Sequence, residues 1–257
     1  MKRINLSVCH ILLAVIMIPS TAAALGLEVT AGAWYQSPKG QLAFKPDDAG
    51  DILDIENDLK YDDETQFLGR LKIDMPLLIP NIYVMATPME FEGTGRKDLN
   101  FKFGDVNFDG SADFFSKTTL DNFDIALYYG IPLLETATLD KLNIDLGVNV
   151  RIIDFETKVT QESPGIDETK SLTLPVPMVF AALQFRPIER LTFEAEGRGI
   201  SIGNDKTYSL LGRLRLNVFG PVFVTGGYRY DNFDIDEKGI VIDADFKGPF
   251  AEAGLSF

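Results

Sequence analysis

The segment "LNIDLGVNVRI", residues 142–152, restricts the fold more than any other stretch of the chain. Leu142, Ile144, Leu146, Val148, Val150 and Ile152 fall on one face of an extended backbone, and Asn143, Asp145, Gly147, Asn149 and Arg151 on the other. Side chains alternate across a β-strand, so period two marks a strand with one apolar and one polar face. The pattern recurs. "GLEVTAGAWYQ" sets Leu27, Val29, Ala31, Ala33 and Tyr35 on one side. "QFLGRLKIDM" sets Phe67, Leu71, Ile73 and Met75 against Arg70, Lys72 and Asp74. "LDNFDIALYYG" sets Phe123, Ile125, Leu127 and Tyr129 against Asn122, Asp124, Ala126 and Tyr128. Adding "NIYVMATPMEFE", "LTLPVPMVFAALQF", "LTFEAEGRGI", "YSLLGRLRLNVF", "VFVTGGYRYDNF" and the closing "GPFAEAGLSF" gives about ten segments. No helical period persists. Pro175, Pro177 and Pro249 cannot donate to a ladder and mark bulges or strand ends.

The connections alternate in length. "PLLIPN", "IPLLETATLDK", "RPIE" and "GP" are compact and mostly proline-marked. Between them, residues 37–64 and 93–117 read as long acidic loops, 159–169 as an intermediate one, and 203–206 and 236–239 as short polar ones. Both termini fall on the short-turn side, which requires an even number of strands. Short turns at one end and longer loops at the other are the asymmetry of an up-and-down antiparallel barrel in a membrane. One face of the strands carries Arg, Lys, Asp and Glu; the other carries Leu, Ile, Val and aromatics with almost no charge. A polar lumen and a lipid-facing exterior fit this division, and in lipid the sheet must close because every backbone group needs a partner. The fold class is therefore all-β, a transmembrane barrel of about ten strands. A soluble periplasmic β-sandwich is the rival fold.

The chain opens "MKRINLSVCHILLAVIMIPSTAAALG". Lys2 and Arg3, the apolar run Val8–Ile18 and Ala22-Ala23-Ala24 have the layout of a cleaved secretory signal. Residues 1–24 are read as that signal, too short an apolar run for a membrane anchor, and 25–257 as the barrel. Cys9 and His10, the only cysteine and histidine, leave with it, so no disulfide forms. Lys+Arg falls from 24 to 22 against 38 Asp+Glu, and net charge from -14 to -16. An acidic chain repels phosphate backbones, so no nucleic-acid partner is expected. Without His or Cys, the Ser-His, Asp-His and Cys-His schemes are all unavailable, and the chain reads as no enzyme.

On these residues the chain resembles bacterial outer-membrane β-barrel proteins, in particular small, functionally uncharacterised barrels of Gram-negative bacteria. The ending "AEAGLSF" is similar to the C-terminal signal read by the outer-membrane insertion machinery, with Leu255 and Phe257 as its apolar positions; Ala253 and Leu255 depart from it in standing where a further aromatic would be. The resemblance implies an outer-membrane location, and as partners that machinery, membrane lipid and lipopolysaccharide; a monomer is expected.

The lumen face carries Arg70, Lys72, Asp74, Asp145, Arg151, Glu194, Glu196, Arg198, Arg213, Arg215 and Arg229, with Asp231 beside the last. Dry unpaired charges cost several kcal/mol, so a ladder of Glu–Arg pairs across adjacent strands is expected. About eight strands leave room only for side chains, and ten is near that limit. The function read here is a structural barrel with a charge-filled lumen; the alternatives are a narrow channel for ions or small solutes, or a calcium- or ligand-binding surface protein. "FGDVNFDGSADFFS" supplies the calcium candidate. Asp105, Asn107 and Asp109 alternate before Gly110, with Asp113 following, as in the D-x-N-x-D-G opening of calcium loops. Position 12 is Ser116 instead of Glu and no helices flank the loop, which excludes an EF-hand. The competing reading is a hairpin tip with "DG" at the turn and solvated acids. No other cofactor is expected.

Overall fold

The alternating segments are strands, and several run well past the residues that announce them. The structure, a computed structural model, describes residues 25–257 apart from Leu77, Pro164 and Asn204; residues 1–24, expected to be a cleaved signal, lie outside the described residues. The strands are β1 (Gly26–Phe44), β2 (Leu53–Asp54), β3 (Glu64–Asp74), β4 (Asn81–Thr87), β5 (Glu90–Gly95), β6 (Phe101–Phe103) and β7 (Val106–Phe108). Then come β8 (Phe114–Gly130), β9 (Leu142–Gln161), β10 (Ile166–Ile188), β11 (Leu191–Ile202), β12 (Asp205–Phe219), β13 (Val222–Glu237) and β14 (Ile240–Ser256). One helical turn, α1 (Leu134–Ala137), sits in the connection from β8 to β9.

All pairings are antiparallel, and β14 pairs back onto β1, so the sheet closes. Pro88 divides one wall strand into β4 and β5, both of which pair with β8. Counted this way the wall has ten strands. The last residue completes the seam: Phe257 N–H donates to the Leu27 carbonyl at 2.8 Å and Leu27 N–H to the Phe257 carbonyl at 3.1 Å.

The faces are arranged as a membrane requires. On β9, Leu146, Val148, Val150 and Ile152 are exposed, while Asp145, Asn149 and Arg151 are buried inside. From Leu142 to Ile152 the chain rises about 33 Å along the strand. A tilt of about 40° turns that into about 25 Å of height, the apolar band of an outer-membrane barrel. Tyr129, Phe185, Phe193, Phe219 and Phe257 ring one edge of the band, and Tyr35, Phe67, Phe123 and Tyr228 the other. With apolar residues outward and charges inward, the soluble sandwich is excluded.

Above this band the polarity reverses within the same strands. On β9, Ile153, Phe155 and Val159 are buried inside, while Asp154, Glu156 and Lys158 face water. On β14, Ile240, Ile242, Ala244 and Phe246 point in and Asp243 points out. The wall thus leaves the bilayer and continues as an ordinary water-facing barrel with an apolar core. This corrects the expectation that 37–64 and 93–117 are loops throughout: β1 continues to Phe44 along β14, β5 reaches Gly95, and β8 already begins at Phe114. What remains of the two loops folds into the top. Gly95 allows it, because a Cβ there would lie 1.7 Å from the Asp58 carbonyl oxygen. Phe91 stacks on Phe246 at 5.4 Å, and Phe101 packs on Phe114 at 4.9 Å and Phe108 at 5.3 Å. Lys97 pairs with Asp58 at 3.2 Å and Lys102 with Asp47 at 2.7 Å, tying one loop to the other.

Candidate functional site

Inside the membrane band, antiparallel register brings opposite charges level. Glu194 on β11 lies opposite Arg213 on β12, and Glu196 lies two residues on. The Arg213 guanidinium reaches both, Glu196 at 2.8 Å and Glu194 at 3.5 Å. Glu196 also binds Arg198 of its own strand. Arg198 reaches across the lumen to Asp124 at 3.1 Å, and Asp124 meets Arg151 at 2.9 Å. Arg151 lies 3.7 Å from Asp231, which Arg229 binds at 2.6 Å. A second cluster joins Glu252 to Arg70 at 3.0 Å, Arg70 to Glu28 at 2.8 Å, and Glu28 to Arg215.

Six arginines thus face six carboxylates, drawn from eight of the ten wall strands. The balance matters because a lone buried charge would cost several kcal/mol; Arg151 grips Asp124 and Arg229 grips Asp231 through two N–H donors each. The other two wall strands add bulk. Tyr83 of β4 lies against Arg198, 5.1 Å from its guanidinium carbon, and Phe180 of β10 stands 5.7 Å away. Trp34 of β1 is fully buried, its indole N–H donating to the Gly248 carbonyl at 3.2 Å and its ring 4.5 Å from Arg229.

Arg70, Arg151, Glu194, Glu196, Arg198, Arg213, Arg215 and Arg229 therefore converge, as does Asp231. Lys72, Asp74 and Asp145 do not join them. They line a polar vestibule of about 530 Å³ at the end that carries the termini, with Glu28, Glu194 and Arg215 at its inner limit. Sequence reasoning gave no role to Glu28, Asp124 or Glu252, nor to Trp34. Strand parity was the available signal: Glu28, Thr30, Trp34 and Gln36 share one face of β1.

The calcium candidates are engaged elsewhere in this structure. The tip of the β6–β7 hairpin falls at Gly104-Asp105, between the paired residues Phe103 and Val106, and Asp109–Ala112 forms a separate turn after β7, closed by Ala112 N–H donating to the Asp109 carbonyl at 3.2 Å. Gly104 has φ +67°, the positive value that the first position of such a two-residue hairpin takes readily only as glycine. Asp105 is turned to Lys45 at 3.1 Å and Asp113 to Arg96 at 2.9 Å. Asn107 is held in β7, and Asp109 accepts from its own loop, from Ser111 N–H at 3.0 Å and Ser111 Oγ at 2.6 Å. Among the described residues no group of three or more acidic, His or Cys ligands comes together.

A closed antiparallel wall with an aromatic-edged apolar band and a charged interior is an integral barrel of the bacterial outer membrane. No protein-family model matches the chain, and no curated protein matches it. Among solved structures it is similar to the translocator domain of the autotransporter NalP from Neisseria meningitidis, at 10% identity over 98% of this chain and 97% of that one, with a TM-score of 0.45. It is also similar to Neisserial surface protein A, at 10% identity over 90% and 97% with a TM-score of 0.34. The attachment invasion locus protein Ail of Yersinia pestis, in complex with the heparin analogue sucrose octasulfate, is similar at 12% identity over 91% and 99%, with a TM-score of 0.31.

Proposed function

We propose that the protein is a sealed, non-catalytic scaffold that holds a folded, water-facing cap at the outer surface of the membrane. The observation that carries this reading is the double filling of the lumen. The charge network occupies the membrane level, and an aromatic core occupies the level above. The vestibule ends against the network, so a solute from that side meets neutralised ion pairs. The absence of His and Cys from residues 25–257 supports a role without catalysis. Reconstitution into planar bilayers is the test. The expected result is no steady current at any holding voltage. Steady porin-like conductance would overturn the reading, and a small cation-preferring conductance would establish the narrow channel in its place.

A further inference from the structure

Between β10 and β11 the wall parts. Their ladder runs up to Val179 opposite Gly199 and stops there, while β9 and β10 stay paired without a register shift as far as Ile166 opposite Gln161. β11 ends three residues above Gly199, at Ile202, which pairs with Asp205 across the hairpin to β12. The result is a notch with β10 on one side, β13 on the other and the short β11–β12 hairpin as its floor. The sequence supplies the cause. Pro175 and Pro177 sit at alternate positions, so both missing N–H groups fall on the same edge of β10. The edge facing β9 keeps its ladder through both prolines, which leaves the bare edge toward β11.

Leu174, Val176, Ile200, Ile202 and Ile235 with the two prolines line most of the notch, Asp205, Lys206, Thr207 and Glu237 complete it, and its volume is about 180 Å³. Val176 and Ile235 are buried and point inward, and Ile202 is 62% exposed at the rim. Pro177 pairs with Val150 and Pro175 with Ile152, the uppermost exposed residues of the apolar band on β9. The notch therefore begins at the upper edge of the apolar band, where it is continuous with the lipid-facing surface, and extends above that edge.

These features select an occupant. A peptide strand added to the β10 edge would find no donor at 175 or 177. A polar solute could meet Asp205, Lys206, Thr207 or Glu237 but would have to shed water against Leu174, Val176 and three isoleucines. A hydrocarbon chain has neither requirement, and an apolar cavity of about 150 Å³ is known to accept a ring of benzene size. We propose that the notch receives an acyl chain of an outer-leaflet lipid, bent over Ile200 against Val176 and Leu174. This stands whether or not the lumen conducts; it needs only that the apolar band is in lipid.

The test uses the unaltered protein in nanodiscs of phosphatidylcholine with a diazirine near the end of one acyl chain. After irradiation, adducts are mapped by mass spectrometry. Labelling is expected on Leu174, Val176 or Ile200, together with the outward residues Val148 and Leu183. Phe180, the first inward residue of β10 inside the paired wall, opposite Arg198, should stay unlabelled. Ile200→Trp fills the notch and should abolish most labelling of Leu174 and Val176 while leaving Leu183 labelled. Adducts on Val148 and Leu183 with none in the notch would overturn the proposal, as would unchanged notch labelling in Ile200→Trp. Absence of label on Val148 and Leu183 would overturn the transmembrane assignment, and the notch with it.

Discussion

Glu196 joins the two halves of its network, because Arg198 and Arg213 both depend on it. All three side chains are almost wholly removed from solvent. Removing one partner of a buried pair leaves the other charge uncompensated and costs about 3–5 kcal/mol. Glu196→Ala should therefore lower stability by that order, read as an earlier urea midpoint for unfolding from lipid vesicles. A loss below about 1 kcal/mol, the range of exposed pairs, would mean that water already screens the network. Asp51, far from the membrane, plays a similar part in the cap. It accepts from Lys102 N–H and Asp47 N–H, each at 2.7 Å, and from Asp48 N–H at 3.4 Å. Burial alone would raise its pKa; these backbone donors outweigh it and hold the carboxyl below the ordinary aspartate range. A folded-state value below the unfolded one stabilises fully above the unfolded pKa and is lost as pH falls through the folded pKa. The Lys102 and Asp47 amide resonances should thus titrate with a midpoint below that of an exposed aspartate. A midpoint at or above it would remove Asp51 as the clamp, and Asp51→Asn should abolish the titration.

At the scale of the element, β14 is both a wall strand and the end of the chain. Phe257 contributes two backbone hydrogen bonds to the seam with Leu27 and an exposed ring at the lower edge of the apolar band. Deleting Phe257 removes both; Phe257→Ala removes only the ring. If the ring is an assembly signal, the two variants should lose heat-modifiable barrel in outer-membrane fractions to the same degree. Full assembly of Phe257→Ala beside a failing deletion would assign the role to the backbone pairing instead. The strands were legible because period two survives in ten segments, and so was the even count. Their ends were not. The lipid-facing pattern stops where β9 passes Ile152, yet the strand continues to Gln161 with its polarity reversed. A reversed stretch reads from sequence as a loop, because its outward residues are charged. Pro175 and Pro177 were read as bulges or strand ends, whereas they end pairing with one neighbour only. Glu28 and Glu252 were hidden for another reason: each stands almost alone in a run of small and apolar residues, and its arginine lies on a strand distant in sequence.

For the whole molecule, the two fillings of the lumen are separable, since they rest on different residues and different physics. The upper one is hydrophobic and depends on the loops. Replacing residues 98–109 by a short Gly/Ser turn would remove Phe101, Phe103 and Phe108 from it. The stem should survive, because Lys97 N–H already donates to the Gly110 carbonyl at 2.8 Å. Each buried Phe is worth about 1.5–3 kcal/mol, so this variant should melt earlier. It should nevertheless stay closed in planar bilayers, because the ion network below touches none of the removed residues. Current should arise only when Glu196→Ala and Arg198→Ala are added, which empties the centre of the network and keeps its charges balanced. Conductance from the loop replacement alone would show that the aromatic core is the seal and that the charged level is permeable, and the arginines would then line a path.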